Sequence, residues 1–202
     1  MQLEILPIKI PFKQKFSHAS YERTESESFF VKAKSQSHIG YGESCPRFYV
    51  TKENLSTCHT FFHRCKIEVE SIRNLDELRL WVDKNRVGIS QNPAAWCAIE
   101  LAVLDLFAQT SKCKVSTLLN LSSHKFANKF SAILSQGSYT KAIFFRLMGF
   151  NDFKVKISSS YKEHSNILKL LNLVGISGDS IRLDGNNCWD NFEDCINELS
   201  PA

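Results

Sequence analysis

Three short apolar segments constrain this chain more than anything else in it: Phe130 to Ser135, Phe153 to Ile157 and Ile181 to Asp184. Their starts lie 23 and 28 residues apart, close to the length of a β-α-β unit. Between the first two, Tyr139 to Met148 is amphipathic and stops at Gly149; between the second and third, Lys162 to Val174 is Leu-rich. A strand that returns to its own sheet through a helix runs parallel to the strand before it, with a right-handed crossover. The pattern therefore predicts a parallel β-α-β-α-β sheet, with a last helix from about Asn191 to Leu199.

The earlier residues have another rhythm. Leu3 to Ile10 reads as a strand ending at Pro11, and Ser28 to Lys34 as a second strand. Phe12 to Glu27 lies between them, a polar run too long for a tight turn and of a length common in binding loops and lids. The glycines and proline of Gly40-Tyr-Gly-Glu-Ser-Cys-Pro-Arg-Phe-Tyr-Val-Thr suggest a strand that ends in a second shaped loop. Helical spacing recurs from Lys52 to about Phe62 and from Leu75 to Asn85. A buried helix follows from Ala94 to Thr110, with Asn92 as its N-cap and Pro93 at the first helical position. Its Glu100 and Asp105 are expected to pair with neighbours, because charges are rarely buried alone. The change of pattern near 122 to 128 divides the chain into an α+β domain, 1–125, and a β/α domain, 126–202.

Composition narrows the partners. A net charge of +4 with Lys and Arg spread along the 202 residues gives little support for nucleic acid or an anionic membrane. No stretch approaches the ~20 apolar residues that span a bilayer. The seven cysteines include no Cys-x-x-Cys pair and read as free thiols, so a cytoplasmic protein is expected.

Chemistry concentrates in two of the three apolar segments. Strand alternation puts Lys154 and Lys156 on one face, opposite Phe153, Val155 and Ile157, and puts Arg182 and Asp184 together on the next strand. Lysines often decorate a solvated strand, and Asp184-Gly-Asn186 is natural turn chemistry. Strands of parallel sheets, however, normally read as continuous apolar runs, and catalytic groups gather at their carboxyl ends, where Lys156 and Asp184 fall. One strand-end carboxylate suits a hard cation such as Mg²⁺ but does not make a site for it. His59 and His63 lie one helical turn apart beside Cys58 and Cys65, yet they lack a metalloprotease glutamate and a second ligand pair, so no zinc centre is predicted. Gly175-Ile-Ser-Gly-Asp is not a phosphate loop, and no Gly-x-Ser-x-Gly elbow is present.

At these residues the chain resembles the enolase superfamily, in its mandelate racemase/muconate-lactonizing subgroup. The resemblance runs from Pro11-Phe-Lys-Gln-Lys-Phe through the Gly40 to Thr51 segment and Ala98-Ile-Glu-Leu-Ala-Val-Leu-Asp-Leu to Lys154-Val-Lys156 and Arg182-Leu-Asp-Gly-Asn186. It implies an α+β capping domain followed by the first three β/α units of an incomplete TIM-like (β/α) barrel. It further implies a Mg²⁺-dependent enzyme that abstracts a proton α to a carboxylate, with Lys156 as base, Lys154 as its electrostatic support and Asp184 as the first metal ligand. Asn186, Ser135, Arg47 and Tyr49 would contact a small carboxylate substrate. Epimerisation or racemisation of a dipeptide-like substrate is favoured, with o-succinylbenzoate synthesis and cycloisomerisation as alternatives. Only about 75 residues follow the domain boundary, whereas a whole barrel takes about 250. The family's further acidic ligands and opposing lysine have no counterpart, so a fragment or a truncated, inactive remnant is the other expectation, one that could associate with further chains through its barrel edge.

Overall fold

The computed structural model describes residues 1–18, 21–121, 129–134, 139–157, 161–185 and 188–199. The chain divides into two compact units, the first made of Met1–Phe16 and Glu22–His124, the second built on Lys125–Ala202.

The first unit opens with an antiparallel sheet of β1 (Gln2–His18), β2 (Tyr21–Ser35) and β3 (His38–Ser44), in that order. Most of the predicted loop from Phe12 to Glu27 is thus strand, a correction with two causes. Proline interrupts a ladder only where its missing N–H is needed, and Pro11 sits in β1, an outer strand of the sheet. The polar residues beyond it pair across the hairpin: Lys9 Nζ lies 2.5 Å from Glu27 Oε1, Lys15 pairs with Glu22, and the Arg23 guanidinium lies over the Phe12 ring. Cross-strand charge pairs support a ladder as well as apolar ones do. Near the start of β1, the Leu3 N–H donates to Glu70 Oε1 (2.7 Å).

Among the described residues six helices complete the unit: α1 (Phe48–Thr51), α2 (Leu55–Ser71), α3 (Leu75–Lys84), α4 (Arg86–Ser90), α5 (Pro93–Thr110) and α6 (Val115–Leu118). Helix α2 starts at a capping box between Asn54 and Thr57 and runs well past Phe62, because Cys58, Phe61, Phe62, Cys65 and Val69 keep one buried stripe going. Helix α5 lies directly on β3. A Cβ on Gly40 would stand 2.2 Å from the Ala102 carbonyl oxygen, and one on Gly42 would stand 2.0 Å from that of Ala98. These glycines make room for a helix; the predicted role in shaping a loop is not theirs.

The start of α5 also differs from expectation. Asn92 occupies the N-cap position, but its side chain donates to the Gly88 carbonyl and accepts no bond from the helix. Glu53 takes that part. Its carboxylate, 2% exposed, accepts from the N–H groups of Ala94 (2.8 Å) and Ala95 (3.0 Å), and the Cys58 thiol donates to it. A buried anion is tolerable there because unpaired N–H groups and the helix dipole both favour negative charge. The carboxylates within α5 do find neighbours: Asp105 accepts from Tyr41 N–H and Gln109 Nε2, and burial raises the Glu100 pKa against a hydrogen bond from Trp96.

The second unit contains β4 (Ser131–Leu134), α7 (Tyr139–Leu147), β5 (Asp152–Lys156), α8 (Tyr161–Leu173), β6 (Ile181–Asp184) and α9 (Phe192–Leu199). The strands pair in the order β4-β5-β6, both pairs parallel, as the segment spacing predicts. Helix α7 ends just before Gly149, whose φ of +90° no side chain adopts easily. Ala132, Leu134, Phe153, Val155 and Ile157 form one core with Ala142, Ile167 and Leu171. The seven cysteines are unpaired, and among the described residues no helix is long and apolar enough to cross a membrane.

Candidate functional site

Alternation along β5 and β6 separates two kinds of side chain. Phe153 and Val155 are fully buried in the core, so Lys154 and Lys156 project from the opposite face. The register sets Lys154 beside Arg182 and Lys156 beside Asp184. Lys156 and Asp184 are the last residues of their strands, and the Ile157 N–H donates to the Asp184 carbonyl (3.0 Å), carrying the ladder one step further. The two lysines and the carboxylate do converge at the carboxyl ends of adjacent parallel strands.

Within that group the closest contact is diagonal. Lys154 Nζ lies 2.7 Å from Asp184 Oδ2, an ion pair in which both side chains are mostly sheltered from solvent. Sequence alternation places both residues on this face but does not reveal the pair, which depends on strand register. Below it Arg182 reaches Ser131 Oγ on β4 (3.4 Å). The face therefore carries a ladder of polar contacts from β4 to β6, with Lys156 at its carboxyl end.

The remaining expected positions are placed as follows. Ser135 and Asn186 lie outside the described residues. Arg47 precedes α1 in the first unit, where its guanidinium donates to the carbonyls of Glu27 (3.1 Å) and Pro46 (2.9 Å) and to Ser26 Oγ (3.4 Å), fastening the segment after β3 to β2. Tyr49 is exposed on α1. Among the described residues no group of three or more His, Cys, Asp or Glu side chains could hold a metal ion. Asp184 offers one carboxylate, and a hard cation such as Mg²⁺ takes several oxygen ligands, so these residues alone do not make its cage.

No family model and no curated protein matches the chain in sequence. Solved structures do match it in fold. The L-Ala-D/L-Glu epimerase of Bacillus subtilis, in a substrate-liganded complex, superposes with a TM-score of 0.80 at 17% identity, over 100% of this chain and 57% of that one. A dipeptide epimerase of Cytophaga hutchinsonii, complexed with Mg and D-Ala-L-Val, gives 0.77 at 22% identity over 98% and 55%. A mandelate racemase/muconate lactonizing protein of Herpetosiphon aurantiacus gives 0.77 at 16% identity over 98% and 56%. The chain spans little more than half the length of these structures. It has their fold over that span: an α+β unit and three β/α units.

Proposed function

We propose that this chain carries the proton-transfer side of an enolising centre that acts on a carbon α to a carboxylate, in an epimerase or racemase of dipeptide-like or other amino-acid-derived substrates. The observation that supports it best is the convergence of Lys154, Lys156 and Asp184 on one sheet face, at the strand ends, in a chain with this fold. A proton α to a carboxylate is weakly acidic, so its removal needs a base and positive charge near the oxygens of the nascent enolate. Lys156 Nζ, at the last position of β5, is the base. The Lys154 ammonium holds the Asp184 carboxylate in place and adds positive charge to the same face. Mg²⁺, present in several of the structures with this fold, would neutralise the enolate when bound. Asp184 is the ligand we assign to it from this chain, and Ser135, Asn186, Arg47 and Tyr49 are the positions we assign to substrate contact. The unpaired thiols suit the reducing cytoplasm.

The second reading is a non-catalytic relative. It is favoured by the Lys154–Asp184 pair, which commits one of the two lysines and the carboxylate to each other, and by the lack of a metal-ligand cluster among the described residues. Incubation with Mg²⁺ and a dipeptide panel in D₂O separates the two. Loss of the α-proton NMR signal that disappears in Lys156→Ala supports the enzyme, and persistence of exchange in that variant refutes the base assignment. Absence of exchange across the panel, both from this chain and from a longer form that supplies further acidic ligands, favours the non-catalytic relative.

A further inference from the structure

Outside the sheet face, the strongest grouping of metal-ligating side chains stands on the first unit. His59 and His63 are exposed, one turn apart on α2, with their Nε2 atoms 3.1 Å from each other. Histidines four residues apart share a helix face, where their side chains are neighbours. Here the ring centroids are only 4.3 Å apart and the planes are inclined at 55°. A linear N–H···N bond would hold the rings end to end, with centroids well beyond that distance. The rings instead lie side by side, with their Nε2 atoms 3.1 Å apart on the exposed side of α2.

We propose that His59 and His63 form a bidentate surface site for a late first-row divalent cation, Ni²⁺, Cu²⁺ or Zn²⁺, with water in the remaining positions. Imidazole nitrogen suits these ions, whereas Mg²⁺ takes oxygen. A cation about 2.05 Å from both nitrogens, the usual metal–imidazole distance, would subtend an angle of about 98° across the observed 3.1 Å. That value lies between the right angle of an octahedral or square site and the wider tetrahedral one, so each of these ions can be accommodated with a small swing of the rings. Binding needs both Nε2 lone pairs. In the bound form each neutral ring therefore carries its proton on Nδ1. Lys66, one turn further on, already has its ammonium on Glu70, and no third protein ligand joins the pair among the described residues. The site differs in kind from a closed zinc centre: it uses two protein ligands and remains open to solvent.

A cation held by residues one turn apart closes that turn, so binding is linked to the stability of α2 and the core stripe it carries. The test is calorimetric titration of the 202-residue protein with Ni²⁺ alone, in a Cys45→Ser/Cys97→Ser background that removes the two exposed thiols. One Ni²⁺ per chain and a raised Tm are expected, with affinity about tenfold weaker or less in each of His59→Ala and His63→Ala. Both variants place a better helix former at an exposed site and should keep the wild-type circular dichroism. Ile67, exposed one turn beyond His63, allows a rescue: His59→Ala/Ile67→His should restore the affinity. Equal affinity in the parent and both single variants, loss in only one of them, failure of the rescue, or no binding to the parent would each overturn the bidentate site.

Discussion

Gly40 and Gly42 in the first unit and Gly149 and Gly175 in the second show how differently the two units are held together. At the first pair the backbone of α5 occupies the space a side chain would need, while φ takes ordinary values. At the second pair that space is open, and φ is +90° and +77°. One pair allows a helix and a strand to touch; the other lets the chain turn after a helix. The cores differ in the same sense. The first interlocks two layers, with Trp81 stacked on Trp96, Phe62 of α2 fully buried and an acidic cap on α5 from a residue 41 positions before Ala94. The second closes one layer of strand side chains under α7 and α8, and leaves Leu147 at 82% and Phe192 at 76% exposure. The first unit adds close backbone contact and capping to its buried core, whereas side-chain burial on one side of a sheet holds the second.

Four perturbations can break or sharpen that contrast. The largest effects should come from the cores themselves: Phe62→Ala and Phe153→Ala should each cost about 3–5 kcal/mol. Urea unfolding would follow the first through Trp81 and Trp96 in a Trp189→Phe background, and the second through Trp189. An equal loss at every reporter would show that the units unfold as one. Next, Gly42→Ala should cost about 3 kcal/mol, since backbone atoms have to move, whereas Gly149→Ala should cost about 1 kcal/mol from its dihedral alone. Similar losses would erase the distinction between the two uses of glycine. Glu53→Ala should destabilise the first unit by about 2 kcal/mol, because it strands one buried and one half-buried N–H group at the start of α5. No change in unfolding midpoint would show that water replaces the carboxylate.

The effect that is smallest near neutral pH is alkaline. Burial pushes the Cys58 thiol up to about 12 and the Cys65 thiol up to about 11, so the folded first unit keeps protons that the unfolded chain releases above its ordinary thiol value. Stability is then full below that value and falls as pH rises toward the folded values, by up to about 1.4 kcal/mol per pH unit for each thiol. Urea midpoints measured from pH 8 upward should decline less steeply in Cys58→Ala, and an unchanged slope would contradict the assignment.

These contrasts also explain what could be read from the sequence. The second unit is local: each strand, helix and stop is encoded within a few residues, and strand alternation pairs Lys154 with Lys156 on one strand and Arg182 with Asp184 on the next. The Lys154–Asp184 pair was hidden because register joins residues 30 positions apart. In the first unit the decisive contacts are distant. Glu53 caps α5 from 41 positions away, Gly42 is explained by Ala98 and Ala102 on α5, and the hairpin strands beyond Pro11 are polar enough to resemble a loop until their charges pair. For the candidate site, alternation identified the lysine face, while the ties of Arg47 to Ser26 and Glu27 depend on how the chain folds back on β2.

The outer strand β1 has a consequence for how the protein behaves in a crowd. Leu3, Pro7 and Pro11 are spaced by four residues, so in a regular strand their backbone nitrogens face the same side. The Leu3 N–H is already taken by Glu70, away from the ladder, and the two prolines have no N–H to offer. An outer edge with its donors removed or occupied at every second outward-facing position is a poor template for a foreign strand. The long hairpin can therefore remain exposed at high protein concentration without recruiting its own copies into a continuous sheet.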